Sequence, residues 1–456
     1  MFQAQTYIER REVLKKKVGN GIILFFGNDE SPMNYTDNTY HFRQDSTFLY
    51  YFGISHPGLA AVLDIDNDRE IIFGDDYTID DIVWMGPQPT IRERADKCGV
   101  ANVMPSGDLA KVLEKSRKVH FLPLYRPENK IKLLELLDIA PKDVANTFSL
   151  DLVRAVVSQR EIKTDEEIEQ LHQAVDVSVD MHVAGMKFAR PGMSEAEVTA
   201  EVHKAALAAG GNISFPIIAT INGQTLHNHY HGNKIKEGNL FLIDAGFEND
   251  MLYAGDLSST FPVSKKFTPE QKEIYEITLA SHQASIDALE FGKPFKDAHI
   301  AACTTIFDGL KAMGFTKGNT MDAFEAGAHA LFFPCGTGHM MGLDVHDMED
   351  LGEVWVGYDG QAKSTQFGLK SLRLAKPLRA GHVFTIEPGI YFIPELIDLW
   401  RSQNKYNDFI NWEKVDSYRN FGGIRNEEDF VMTERGVKLL GKPKPKTVEE
   451  VEALRG

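Results

Sequence analysis

Residues 240–247, LFLIDAGF, and residues 255–263, GDLSSTFPV, are two apolar runs, and each carries an aspartate near one end. Short runs bounded by Gly and Asn read as buried strands. Joined through the Gly- and Asn-containing turn between them, they predict a hairpin that sets Asp244 and Asp256 side by side across the pair. Acidic residues are depleted both in strands and in interiors, so each of these needs a reason. A lone strand-terminal aspartate is ordinarily a turn former or a helix cap. Two across one hairpin direct attention to what else in the chain would balance them.

Around the hairpin, FPIIATI (residues 215–221), HVFTIEPGIYF (residues 382–392) and EEDFVMT (residues 427–433) also read as strands. Three helix starts carry capping-box chemistry: Thr164 with Glu167, Ser194 with Glu197, and Thr268 with Gln271. Pro269 adds a preferred first helical residue to the last of them. Ile168, Leu171, Val175 and Val179 trace an apolar stripe on the first helix. Helices flanking an antiparallel sheet predict an α+β domain over residues 156–456. Within it residues 398–417, polar with interleaved Trp and Tyr, read as a long loop.

Residues 1–155 have a different texture. GIILFFG (residues 21–27), LAAVLDID (59–66), EIIFG (70–74) and VHFLPL (119–124) are strand runs, with helical patterns in TYIERREVLKKK near the start and LAKVLEKSRK (109–118). This alternation predicts an α/β domain with a partly parallel sheet.

A chain of 456 residues exceeds one typical core, which agrees with two or three domains. Its composition, 43% hydrophobic and 25% charged, is that of a soluble globular protein. No apolar run is long enough to span a bilayer. The leading MFQAQTYIERREVLKKK lacks the apolar core of a signal peptide, so a cytoplasmic location without a membrane partner is expected. Three distant cysteines, Cys98, Cys303 and Cys335, fit reduced thiols. With 49 Lys and Arg against 66 Asp and Glu, the net charge of −17 disfavours nucleic acid as a partner.

Further acids stand in apolar surroundings. Glu387 follows VFTI and precedes Pro388-Gly389. In GGIRNEED (residues 422–429), Arg425 and Glu427 share one face of a strand, with Asn426 and Glu428 on the other. PCGTGHMMGLDVHD (residues 334–347) sets His339 and His346 two helical turns apart. Its glycines oppose a helix, each costing about 1 kcal/mol inside one. A phosphate-loop reading of Gly336, Gly338 and Gly342 is weak, because no Lys-Ser/Thr follows. Four carboxylates and one or two histidines cannot be buried unpaired, and Arg425 alone is too little to balance them. Two divalent cations would. A mostly oxygen donor set with one imidazole suits Mn²⁺, Co²⁺, Fe²⁺ or Zn²⁺.

The order DAG, GD, GTGHMMGLDVHD, EPGIY, GGIRNEED resembles the metal-dependent peptidases of the pita-bread (methionine aminopeptidase-like) fold. Within them it resembles the proline-specific branch, prolidase (Xaa-Pro dipeptidase) and aminopeptidase P. Residues 40–58, YHFRQDSTFLYYFGISHPG, are similar to that branch's N-terminal domain. The resemblance implies an α/β N-terminal domain and an α+β pita-bread catalytic domain. It implies that Asp244, Asp256, His339, Glu387 and Glu427 hold two divalent ions, Mn²⁺ foremost. His227 and His346 would line the substrate pocket as proton donors or carbonyl-polarising groups, Arg425 would orient the ligating carboxylates, and Glu387 would also move the catalytic proton. The implied substrates are Xaa-Pro dipeptides or short peptides with proline second, and the implied assembly is a homodimer.

Arg373, fourteen residues before Glu387, matches the prolidase arginine that clamps the free carboxylate of proline. On that match a dipeptidase is expected ahead of an aminopeptidase P. Without the resemblance Arg373 reads as an exposed loop arginine. A metal-free pita-bread domain that binds peptides is the remaining alternative, but such domains lose several ligands and all five positions are filled here. Four departures stand out. The Asp244–Asp256 spacing is one residue longer than the resemblance leads one to expect, as one extra residue in the turn would make it. Cys335 occupies a position where family members usually carry histidine; packing is expected of it before zinc binding. Asn426 replaces an aliphatic residue. In TLHNHYHGN (residues 225–233) Leu226 favours His227 over His229 or His231.

Overall fold

The computed structural model describes residues 1–113 and 117–456. They form two compact units, residues 1–160 with 348–355, and residues 161–347 with 356–456.

The first unit is built on five strands: β1 (Ile22–Phe26), β2 (Ala60–Asp64), β3 (Arg69–Phe73), β4 (Asn102–Met104) and β5 (Val119–His120), in the order β4-β3-β2-β1-β5. β1–β2 and β2–β3 are antiparallel, while β1–β5 and β3–β4 are parallel, so the sheet is mixed as its pattern predicts. Every residue of β1 and β2 is buried, which is why both read as apolar runs; the one charge, Asp64 at the end of β2, is paired with Arg117. β5 is shorter than its apolar run: Pro123 has no N–H for a ladder, and the Phe121 carbonyl accepts from Ser149 N instead. Of the helix expected over residues 109–118, Leu109–Val112 is helical, and residues 114–116 lie outside the described residues.

The second unit carries β6 (Asn212–Ile213), β7 (Ile218–Thr220), β8 (Leu240–Ala245), β9 (Phe247–Glu248), β10 (Leu257–Pro262), β11 (Val383–Ile386), β12 (Gly389–Tyr391), β13 (Gly423–Arg425), β14 (Glu428–Thr433) and β15 (Gly436–Leu439). They pair only antiparallel, in four small sheets: β10-β8-β7, β11-β14-β15, β12-β13 and β6-β9. The breaks have local causes. Pro388 separates β11 from β12, and Asn426-Glu427 separates β13 from β14. Asp256, Glu387 and Glu427 therefore sit at strand ends and interruptions, while Asp244 lies within β8, paired with both β10 and β7.

The helices Asp165–Phe188, Glu195–Ala208 and Pro269–Asp287 all begin with the reciprocal capping boxes that their sequences predict. Gly185 lets the first of these approach the sheet: a Cβ there would meet Ile243 Cδ1 at 2.4 Å. The expected loop over residues 398–417 is a loop only in its middle. The helices Pro394–Ser402 and Trp412–Asp416 occupy half of it, with turns between them. Ile397 and Trp400, one helical turn apart, are 1% and 3% exposed, and Trp400 packs edge-on against Phe367 and Tyr406. The aromatics that make this stretch look irregular are its anchors in the core.

Candidate metal and substrate site

The hairpin forms, but its register corrects one expectation. Asp244 stands opposite Ser258, not Asp256. Asp256 lies two residues earlier, on the same face and diagonal to Asp244, because the turn is closed farther out by a Glu248–Ala254 bridge. Period-two alternation then puts Asp256, Ser258 and Thr260 on one face, and all three are buried.

Residues 334–347 contain no helix. Gly338 shows what its glycine is for, since a Cβ there would meet the Thr385 carbonyl oxygen at 2.0 Å. That close approach lets Thr385 N donate to His339 O at 3.0 Å and Glu387 N to Thr337 O at 2.7 Å. One backbone seam thus positions both His339 and Glu387. His339 Nδ1 lies 3.0 Å from Met340 O and donates to it, which leaves the Nε2 lone pair directed at the acids. Nε2 is 3.3 Å from Asp256 Oδ2 and 3.6 Å from Glu387 Oε1. Donor atoms of Asp256, His339 and Glu427 all fall within 4.8 Å of one another.

Arg425, 4% exposed, is the basic residue that holds this arrangement. Its Nη2 donates to Asp244 Oδ2 at 2.5 Å, its Nε to Ser258 Oγ at 2.8 Å, and its Nη1 to Tyr391 OH at 3.1 Å. Ser258 Oγ in turn donates to Glu427 Oε2 at 2.7 Å. One guanidinium therefore orients Asp244 directly and Glu427 through a hydroxyl. Asp429, fully buried, accepts from Asp256 N at 3.0 Å and fixes the backbone where β10 begins. Ser258, Tyr391 and Asp429 do not stand out in the sequence, although period-two spacing from Asp256 and from Glu387 marks the first two.

Burial, reinforced by neighbouring carboxylates, pushes Asp256 and Glu427 well above the ordinary carboxylate range. Burial raises Glu387 as well, with His339 and Arg425 opposing it. Asp256 Oδ1 is buried without a hydrogen-bond partner. An acidic donor set with an orphaned carboxylate oxygen and too little fixed positive charge fits divalent cations.

These groups line a cavity of about 200 Å³ whose wall also includes His227, His229, Cys335, His346 and Arg373. Arg373 is thus in the pocket wall and not on an exposed loop. His346 faces His339 edge-on with ring centroids 4.2 Å apart, beside the acids. His227 and His229 both reach the cavity, whereas His231 is tied to the Ile217 carbonyl at 3.0 Å. Cys335 is outside the tight donor group; burial and nearby Glu387 push its thiol up to about 12, so it is a neutral wall residue.

Residues 169–434 match the model of metallopeptidase family M24, and residues 7–120 match that of the aminopeptidase P N-terminal domain. A Xaa-Pro dipeptidase of Homo sapiens is 33% identical over 446 residues, covering 95% of this chain and 88% of its own. A probable Xaa-Pro aminopeptidase of Leptosphaeria maculans is 29% identical over 439 residues, covering 95% and 75%. Among solved structures, the aminopeptidase PepP of Pseudomonas aeruginosa superposes with a TM-score of 0.83 at 26% identity, covering 100% of this chain and 98% of that one. The zinc-substituted aminopeptidase P of Escherichia coli in complex with product gives 0.82 at 28% identity, with the same coverage.

Proposed function

We propose that this chain, which belongs to metallopeptidase family M24, hydrolyses the peptide bond that precedes proline, with Xaa-Pro dipeptides as its first substrates. The observation that carries this reading is the convergence of the five candidate donors and Arg373 on one cavity. Asp244, Asp256, His339, Glu387 and Glu427 would hold two divalent ions, Mn²⁺ first, with Co²⁺, Zn²⁺ and Fe²⁺ compatible with the same donors. When bound, such ions supply Lewis acidity and lower the pKa of a water.

The remaining work falls to this chain's side chains. Arg373 pairs with the carboxylate of a terminal proline and sets the depth of the substrate. His227 and His346 donate to the scissile carbonyl oxygen, a contact that strengthens as that oxygen gains charge. Glu387 takes the proton of the attacking water and delivers it to the proline nitrogen as the C–N bond breaks. Arg425 and Ser258 keep Asp244 and Glu427 in place throughout. Proline presents a tertiary amide without an N–H, so the pocket needs no acceptor there.

The second reading is a Xaa-Pro aminopeptidase acting on longer peptides, supported by the likeness to the solved aminopeptidases. The family resemblance supports a homodimer, and three unpaired cysteines support a reducing compartment such as the cytoplasm. Rates on Gly-Pro and on Gly-Pro-Gly, for the chain as it is and for Arg373→Ala, separate the two activities. A charge-assisted contact of about 1.5–3 kcal/mol predicts a loss of roughly ten- to hundredfold in kcat/KM on Gly-Pro, with little change on the tripeptide. Efficient cleavage of the tripeptide, together with an unchanged Gly-Pro rate in the variant, overturns the dipeptidase reading. Less than one ion per chain after soaking in Mn²⁺ overturns the metal reading.

A further inference from the structure

Three more side chains of metal-ligating type meet in the interior of the second unit, outside the lining of the cavity but beside the segment that carries Cys335 and Thr337. His299 and Cys303 lie one turn apart on the helix Lys296–Ala312, and His329 lies in the short 3-10 turn Ala328–Leu331. They are 0%, 1% and 2% exposed, and their donor atoms all lie within 4.8 Å of one another. Cys303 Sγ is 3.5 Å from His299 Nε2. Metal–sulfur and metal–nitrogen bonds of about 2.3 and 2.0 Å at a tetrahedral angle span an edge of about 3.5 Å, so this pair already stands at ligating separation.

The surroundings select the right form of each ligand. His299 Nδ1 is 2.8 Å from Thr337 Oγ1. A proton on Nδ1 donated to that hydroxyl leaves the Nε2 lone pair facing the sulfur, the role an outer partner plays for a ligating histidine. His329 is clamped by stacking on Phe324, with centroids 4.7 Å apart. Neither of its ring nitrogens has a hydrogen-bond partner; the Phe324 backbone is within electrostatic reach but makes no bond of acceptable geometry. A buried polar group left unmatched costs about 1–3 kcal/mol. A ring that only filled space would do so better as phenylalanine.

We propose that His299, Cys303 and His329 form a further metal site, for a thiophilic ion such as Zn²⁺ or Cu⁺. On binding, the Cys303 thiol releases its proton to solvent. The thiolate and the two imidazole nitrogens then each donate a lone pair to the ion, whose charge the thiolate partly offsets. The site braces the catalytic segment, because Thr337 meets His299 through its hydroxyl and accepts from Glu387 N through its carbonyl.

Cobalt reports this directly. The full chain is expressed in Co²⁺-supplemented medium, so that the closed interior loads as it folds, and its near-ultraviolet absorption is recorded. The candidate donors of the cavity are oxygen and nitrogen, and Cys335→Ser removes the one thiol in its wall, so a thiolate-to-cobalt charge-transfer band in that variant arises from another cysteine. The band is expected in the unaltered chain and in Cys335→Ser, and lost in Cys303→Ser and in His329→Phe, which keeps the stacking on Phe324. Metal analysis after growth with Zn²⁺ alone, or after anaerobic growth with copper, tells which ion supplies one more equivalent than Cys303→Ser retains. Should Cys303→Ser not fold, the unaltered chain and His329→Phe decide the matter. A folded, cobalt-loaded chain without the band, or a band that survives either Cys303→Ser or His329→Phe, overturns the proposal.

Discussion

Replacing Arg425 by lysine keeps the positive charge and removes the fork. The guanidinium makes three donations, to Asp244, Ser258 and Tyr391, and through Ser258 it also steadies Glu427. A lysine ammonium is a point charge on a flexible stem and reaches one of these partners at a time. Two of the five candidate ligands would then lose their orientation together. Changes to groups that orient ligands typically weaken metal binding ten- to hundredfold, or about 1.4–2.7 kcal/mol. Titration of chelator-treated Arg425→Lys with Mn²⁺ should show that loss, with activity recovering largely at saturating metal. Arg425→Met removes the charge too and leaves Asp244, 8% exposed, without its cation. Breaking a buried pair from one side costs about 3–5 kcal/mol, which urea unfolding in chelator should register. Metal affinity unchanged in Arg425→Lys, or full stability of the chelated Arg425→Met protein, would refute the role given to Arg425.

Glu387→Ala should abolish turnover of Gly-Pro while the protein stays folded by circular dichroism; near-normal activity with metal bound would remove Glu387 from proton transfer. In metal-free protein Glu427→Gln should be more stable than the unaltered chain at neutral pH. The sign follows from Glu427, whose raised folded-state pKa makes its contribution fully present below its ordinary value of 4.5 and lost as pH rises through the folded value. Thermal melts in chelator should therefore show the gap widening from the ordinary carboxylate range to neutrality, and metal should close it. Trp400→Ala should cost about 3–5 kcal/mol in denaturant titrations, because that buried ring anchors the helix Pro394–Ser402 in the core.

Much of the fold is legible from local chemistry. The capping boxes at Thr164, Ser194 and Thr268 depend on neighbours three residues away, so the chain announces them without any long-range contact. β1 and residues 60–63 of β2 announce themselves because a strand buried on both faces is predominantly apolar. Asp244, Asp256, Glu387 and Glu427 stand out because a charge in apolar surroundings is costly unless something balances it, whereas His339 is singled out from His346 only by the family resemblance; all five reach one cavity.

Other features depend on distances that no local pattern encodes. Residues 398–417 read as a loop but are half helical, and Trp400 is held there by Phe367 and Tyr406, contacts that no local periodicity encodes. The offset of Asp256 from Asp244 depends on where the hairpin closes, which shifts every cross-strand partner. The relay from Arg425 through Ser258 to Glu427 joins residues 167 and 169 positions apart. The meeting of His329 with His299 and Cys303 likewise exists only once the 3-10 turn packs against its helix. By itself the sequence determined which side chains are chemically costly to bury and which local elements carry them. The tertiary structure decided which of them meet, because meeting is set by register and packing across the whole chain and not by spacing along it.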